Sequence, residues 1–495
     1  MKNKKVIIIG SGVGGISASA LLAKEGFDVE VYEKNEQPGG RASVLKEKGF
    51  TFDMGPSWFM MPHVFERFFK EAGDTDLDDL KLFKLDPAYK VFFEDKISIE
   101  IPSSADKAAS TFESMEKGAG KKFKEYLSDS KIKYEIAVNS VLYKNTDNIL
   151  GLINKDIAKH GRKLEVFLPI HKIISRYFKN SKIQQILEYN LVFLGCSPEN
   201  APGLFSMMAH VDFNLGVWYP IGGINKVIEK MTKIAQENGA KFHYNRPVEK
   251  IFISGNKASG ILVNGKKIKA DFIVSNADYK FTEDILSDQK KRNLPADSWN
   301  KKVLAPSAFV IYLGVKGKTP KLIHHNLYFT EDWRPHFKSI FKSPEWPVNP
   351  SIYINNPSYT DTSLAPPGHE ALMILVPVAN DLLENDIWKE HYSNYIIDYL
   401  DKKMGINLAK RTVFKKIFSI NDFKNRYNSY KGNALGGMAH TLFQSAVWRP
   451  SNRNKKIQNL FYVGAGTVPG IGVPTSIISG HLARDRIVKC HAKPK

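Results

Sequence analysis

A short apolar run, Lys5 to Ile9, feeds directly into Gly10-Ser11-Gly12-Val13-Gly14-Gly15, and this junction constrains the fold more than any other feature. Gly10, Gly12 and Gly15 match G-x-G-x-x-G, a spacing that carries meaning when a strand precedes it and a helix follows. Here the apolar run reads as a buried strand, and Ile16 to Lys24, rich in Ala and Leu, reads as a helix closing at Gly26. Asp28 to Tyr32 (DVEVY) reads as a second strand, completing a βαβ unit. Gly10 then permits a tight turn, Gly12 lets the backbone approach a pyrophosphate, and Gly15 lets helix and strand pack closely. Val13 and Gly14 complete the loop. Phosphates sit at the helix N-terminus, where free N–H groups and the helix dipole favour negative charge. Glu33, followed by Lys34, ends the second strand. Its carboxylate can accept hydrogen bonds from ribose hydroxyls and repels a 2′-phosphate, which favours FAD or NAD over NADP.

The same segment imitates a secretory leader, because Lys2, Lys4 and Lys5 precede the apolar run and Ala18-Ser19-Ala20 resembles a cleavage site. The glycines interrupt that apolar core, and the dinucleotide turn explains them better. No stretch of 18 or more apolar residues occurs, so no membrane-spanning helix is predicted.

The next segments separate flavin from nicotinamide. Residues 38–41 read PGGR and residues 49–57 read GFTFDMGPS. An arginine after a double glycine can reach cofactor phosphates with charge-assisted hydrogen bonds. Residues 461–480 read FYVGAGTVPGIGVPTSIISG: a strand leads into Gly464 and Gly466, and a helix starts after Gly472 with Val473 and Pro474. Proline suits a first helical turn, and a helix N-terminus aimed at a flavin ring stabilises the anion formed on reduction. Together these stretches resemble the flavin amine oxidase and phytoene desaturase superfamily, and the last resembles its bacterial-type carotenoid desaturases, as does GVWYPIGG at 216–223. The resemblance covers nearly the whole chain. It implies that Gly39, Gly40, Arg41, Gly55, Pro56 and Ser57 lie against FAD and that Val248, after Arg246-Pro247, contacts adenine through its backbone. It also implies a Rossmann-type α/β FAD-binding domain of the GR2-like flavoprotein fold with an interleaved, mixed α+β substrate domain. The expected division is residues 1–75, 220–285 and 432–495 for the cofactor, and 76–219 and 286–431 for a largely apolar substrate domain with a membrane-facing helical part. One departure matters: the C-terminal flavin segment has no cysteine, and Cys490 lies beyond it. Covalent flavin and amine oxidation are therefore disfavoured.

Composition narrows the partners. The net charge of +20 is compatible with nucleic acid or an anionic membrane surface. Lys and Arg are dispersed and no nucleic-acid module is present, so the membrane surface is preferred; lysine-rich genome composition alone is the plainer explanation. Cys196 and Cys490 form neither a metal pattern nor a disulfide framework. No metal is expected, and the expected location is cytoplasmic, peripheral at the inner face of the membrane.

The resemblance implies desaturation of a long polyene hydrocarbon, phytoene or its shorter diapo homologue, with hydride passing to the flavin and reoxidation by oxygen or a quinone. Such a substrate has no polar handle, so its pocket must be a long apolar tunnel. Residues 164–174, 191–195 and 204–219 are candidate walls, and Trp58 to Phe69, rich in aromatics and Met, is the candidate floor. Ordinary helix core is the competing explanation for each of these residues. His63, His210, Asp212 and His440 are possible bases, and none is assigned as catalytic. A carotenoid isomerase, saturase or terminal oxygenase would use the same cofactor site. A polar-substrate amine oxidase or a non-enzymatic FAD-containing adaptor are more distant alternatives.

Overall fold

The computed structural model describes residues 4–74, 78–152, 157, 159 and 161–492. Lys2 of the leader-like stretch lies outside them, as do the outermost residues of both terminal segments expected to form the cofactor domain. A five-stranded parallel sheet runs in the order Leu460–Tyr462, Phe272–Ser275, Lys5–Ile9, Asp28–Tyr32, Lys241–His243. Val6 pairs with Phe272 on one side and Val29 on the other. Helices cover one face and the three-stranded antiparallel sheet Val248–Ser254, Lys257–Val263, Lys266–Lys269 covers the other, so the first strand is apolar on both: Val6, Ile7 and Ile8 are fully buried.

The helix after the glycine turn spans Val13–Lys24. It begins three residues before the expected Ile16, because Ile16 N–H already bonds Gly12 C=O at 2.9 Å. It packs against both Ile224–Glu237 and the C-terminal helix Val473–Ala492. Small residues make this possible. The Ser17 hydroxyl donates to Ile477 C=O at 2.9 Å, and a side chain on Gly480 would strike Ser17.

A second sheet has seven strands, in the order Thr412–Phe418, Ser307–Lys316, His369–Val378, Ile352–Asn355, His325–Phe329, Tyr89–Phe93, Ser98–Ile101. Its pairs are antiparallel except His325–Phe329 with Tyr89–Phe93. Side chains alternate with the pleat. Phe309, Ile311 and Leu313 join one core with Ile396 and Leu400 of helix Asp386–Met404. Ala308, Val310 and Tyr312 point the other way, into the main core. A hairpin turn at Asn264-Gly265 joins Lys257–Val263 to Lys266–Lys269, with φ of 48° and 70° at the two turn residues. Helices Ala105–Met115, Ala119–Ala137, Ile170–Tyr177 and Ser181–Glu188 pack successively on one another. No described helix is long and apolar enough to cross a membrane.

Candidate functional site

Two glycine turns from opposite ends of the chain meet in space. A Cβ on Gly14 would lie 2.6 Å from the backbone nitrogen of Gly464, and one on Gly464 would lie 2.6 Å from Asn276 Oδ1. The neighbouring strands Lys5–Ile9, Phe272–Ser275 and Leu460–Tyr462 all end here, at the carboxyl edge of the parallel sheet, where α/β folds of this kind place their ligands. Sequence reasoning missed Asn276; its signal was a Ser-Asn-Ala-Asp turn directly after a strand.

A cavity of about 820 Å³ opens from this junction. Gly10, Gly12, Val13 and Gly14 line it, with Glu33, Lys34, Gly39, Gly40 and Arg41 beside them. Gly55, Pro56, Ser57 and Val248 line it as well, as do Gly464, Gly466, Gly472, Val473 and Pro474. Gly15 does not: it stands behind the turn, close against the carbonyl oxygen of Gly10.

The electrostatics at this end are distinctive. Arg41 donates from Nε to Ala434 C=O at 2.8 Å and from Nη2 to Ser429 Oγ at 2.8 Å and Asn433 C=O at 3.1 Å. Its guanidinium lies 5.3 Å from the Tyr427 ring centre. Burial lowers its pKa, with the charge of Asp278 opposing, yet no carboxylate forms an ion pair with it among the described residues. A cation held by carbonyls beside a cavity is suited to receive an anion. Glu33, also buried, accepts from Ser11 N–H at 2.7 Å and Ser11 Oγ at 3.0 Å, and from the backbone and side-chain amides of Asn35 at 2.9 Å each. Lys34 turns to Asn425 C=O at 2.6 Å and Asn428 Oδ1 at 2.8 Å.

Arg449 is a second buried cation that sequence reasoning missed. It donates to the carbonyls of Thr467, Gln444, Met438 and Ala465, bracing the C-terminal glycine loop. Burial lowers its pKa to about 10. Asp53 explains the GVWYPIGG stretch. Its carboxylate accepts from the N–H groups of Ile224 and Asn225 at 2.8 and 3.0 Å, capping the helix that follows, and burial raises its pKa to about 6. None of residues 216–223 lines the cavity.

The far end of the cavity is apolar. From the expected walls, Val192, Phe193 and Leu194 line it, as do Leu204, Phe205, Met207, Met208 and Val211. The segment 164–174 contributes Leu164 alone. Ile170, Ile173 and Ile174 form the buried stripe of a helix, and Phe167 is exposed. The expected floor divides in the same way. Trp58, Met60 and Met61 line the cavity, while Phe65, Phe68 and Phe69, at helical spacing on Pro62–Ala72, face the core. Leu327, Phe329, Trp333, Phe337 and Ile340 also line it, and strand patterning gave no hint of that.

Of the four possible bases, only His440 lines the cavity. Its Nε2 accepts from Ile471 N–H at 3.2 Å, and burial beside Arg449 holds the ring neutral, its pKa well below the ordinary value. His63 Nε2 is 2.9 Å from the Tyr134 hydroxyl, and His210 Nδ1 is 2.7 Å from Asn214 Nδ2; burial lowers the pKa of both rings. Asp212 is buried behind the apolar wall. Neither cysteine lines the cavity: Cys196 is buried, its pKa pushed up to about 12 by desolvation, and Cys490 is exposed on the C-terminal helix.

Comparison with known proteins agrees with this architecture. The family described as flavin containing amine oxidoreductase matches residues 13–488. The carotenoid 3,4-desaturase of Haloarcula japonica is 42% identical over 99% of this chain and 99% of its own. The zeta-carotene-forming phytoene desaturase of Myxococcus xanthus is 30% identical over 98% of this chain and 94% of its own. Among solved structures, an oxidoreductase from Methanosarcina mazei superposes with a TM-score of 0.61 at 19% identity, covering 96% of this chain and 98% of its own.

Proposed function

The chain belongs to the flavin-containing amine oxidoreductase family, and on that premise we propose that it is a desaturase of acyclic carotenoid-type polyenes that uses non-covalently bound FAD. The observation that carries this reading is a single cavity joining the paired glycine turns and the carbonyl-held Arg41 to a wall of Trp58, Phe193, Phe205, Met208 and Phe329. The glycine end fits a dinucleotide. Its glycine turns approach one another and Asn276 more closely than a Cβ would allow, and a buried cation stands ready for a pyrophosphate. Arg41 and the turns Gly10–Gly14 and Gly39–Gly40 would hold the phosphates, Glu33 the ribose, Val248 the adenine, and Gly464–Pro474 the ring. When bound, the flavin accepts a hydride from an allylic carbon. The protein orients that carbon and keeps water out.

The relatives' printed activities support a carotenoid substrate for this chain. Residues 1–75, 220–285 and 432–495 supply every strand of the parallel sheet, and the seven-stranded sheet draws all its strands from the remainder, which favours the two-part division. A hydrocarbon drawn from lipid needs an opening onto a membrane, because burial in the tunnel gains little over burial in lipid. The exposed Phe167, Phe443 and Trp448 adjoin the lining residues Leu164, Ser445, Ala446 and Val447, with Lys144 among the lining residues as well, and they form the surface proposed to meet the bilayer. Oxygen or a quinone is the proposed acceptor of the electrons.

Expression in bacteria that accumulate phytoene, its diapo homologue or an acyclic polyene already partly desaturated provides the test. Pigment chromatography should show a product with a longer chromophore in at least one host. Unchanged precursor in all three hosts would overturn the reading. Release of FAD on denaturation, identified by mass, tests non-covalent attachment separately.

A further inference from the structure

Behind the apolar wall stands a carboxylate to which the function above gives no task. Asp212 lies in the segment His210–Leu215 and is 2% exposed. Its Oδ2 accepts from the Tyr89 hydroxyl at 3.0 Å, the Tyr189 hydroxyl at 3.1 Å and Asn190 Nδ2 at 3.5 Å. Its Oδ1 is buried with no hydrogen-bond partner among the described residues. No cation forms an ion pair with it there. A carboxylate deprived of water and counter-ion is costly to keep ionised. Desolvation raises its pKa to about 7, with the tyrosines and Asn190 opposing. The groups facing it are Tyr89 from strand Tyr89–Phe93, and Tyr189 and Asn190 from the turn Tyr189–Leu194. His210, on its own segment, bonds Asn214 instead.

The two phenols differ in one respect. Tyr189 lines the cavity and Tyr89 does not. The Tyr189 ring stands 5.6 Å from Trp58 and 5.8 Å from Phe193, both of which line the same wall.

We propose that Asp212 takes up, through the Tyr189 hydroxyl, the proton that the polyene loses during desaturation. This rests on the desaturase reading. A bound oxidised flavin would take a hydride, with its two electrons, from an allylic carbon, which would leave the hydrocarbon cationic. A C–H bond on the adjacent carbon then breaks, and its electron pair becomes the new double bond. That proton bonds to the Tyr189 oxygen while the original hydroxyl proton passes to Asp212 Oδ2. A C–H bond beside a cationic carbon is strongly acidic, so a phenol bonded to a carboxylate is base enough. Before the proton moves, the negative charge of Asp212 and the aromatic faces of Trp58, Tyr189 and Phe193 favour the cation. In this scheme Tyr189 touches the substrate and Asp212 acts through it.

The test compares Asp212→Asn, Tyr189→Phe and Tyr89→Phe in the flavin-loaded enzyme. The two phenylalanine variants remove equivalent hydrogen bonds to the same oxygen, so a purely structural role would affect them alike. The expected result is a loss of about 100-fold in kcat for Asp212→Asn and Tyr189→Phe, at little-changed KM and flavin content, with Tyr89→Phe near wild type. The kcat–pH profile of the wild type should fall on the acid side as Asp212 is protonated near neutrality, and that limb should vanish in Asp212→Asn. An infrared carboxyl band should titrate in the same range in the wild-type protein and be missing from Asp212→Asn. Equal slowing of both phenylalanine variants, wild-type turnover in Asp212→Asn, or a carboxyl band that does not titrate near neutrality would overturn the proposal. A wild-type enzyme that converts no polyene would instead overturn the functional reading, and the infrared titration separates the two failures.

Discussion

The two ends of the cavity are built from different materials. The end proposed for the nucleotide is made of backbone: paired glycine turns, positive φ at Gly10 (91°), Gly39 (103°) and Gly464 (88°), and a guanidinium held by main-chain carbonyls. The end proposed for the hydrocarbon is made of side chains contributed by the helical segments and by the second sheet. A polar ligand of fixed shape is gripped by groups that cannot rearrange, and a polyene without polar atoms needs only an apolar surface of suitable width. The first end therefore tolerates almost no substitution, whereas the second should tolerate many.

The sharpest way to break that contrast is Gly14→Val. Its new side chain would meet the backbone of Gly464, which has nowhere to move. The purified variant is expected to be colourless, and a retained flavin absorbance would show that the turns do not act as one site. Next is the pH dependence of stability, where the hydrocarbon end should dominate. The folded pKa of Asp212 lies near 7, above that of an unfolded aspartate near 4. The folded protein therefore binds this proton more tightly than the unfolded chain does. The resulting stability is fully present below about pH 4 and is lost as pH rises through about 7, in all of the order of 4 kcal/mol. Denaturant unfolding across this range should show Asp212→Asn gaining on the wild type as pH rises; a difference that stays flat would contradict the buried charge. Arg41→Ala comes third, with flavin affinity expected to fall roughly 10- to 100-fold by titration calorimetry and polyene binding to change little. Least severe is Phe205→Ala on the apolar wall, expected to lower kcat/KM about tenfold with flavin affinity unchanged. A loss of flavin in that variant would show that the two ends are not independent.

The same contrast explains what could be read in the sequence. Backbone sites leave local signatures, because only glycine fits where a Cβ collides and glycine is favoured where φ is positive, and so Gly10–Gly15, Gly39–Gly40 and Gly464–Gly472 stood out. Apolar patterning likewise disclosed the strands Lys5–Ile9, Asp28–Tyr32 and Leu460–Tyr462 and the helices Val13–Lys24 and Val473–Ala492. The apolar end left no such trace. Phe65, Phe68 and Phe69 look like cavity aromatics and are core, and Trp333 and Phe337 look like surface-helix aromatics and line the cavity. Residue type does not reveal which face of a helix meets a void and which meets another helix. Arg449 was hidden for a related reason: its acceptors are carbonyls far along the chain, and carbonyls carry no residue identity.

The contact between Gly14 and Gly464 also bears on how the protein is made. The strand Leu460–Tyr462 is an edge of the parallel sheet, and the helix Val473–Ala492 covers Val13–Lys24. A ribosome delivers both more than four hundred residues after Gly14, so until then the nascent chain carries a partly uncovered helix Val13–Lys24 and an open sheet edge. Cofactor loading then waits on residues 460–492, and a chain interrupted before them has most of its core and an incomplete glycine junction.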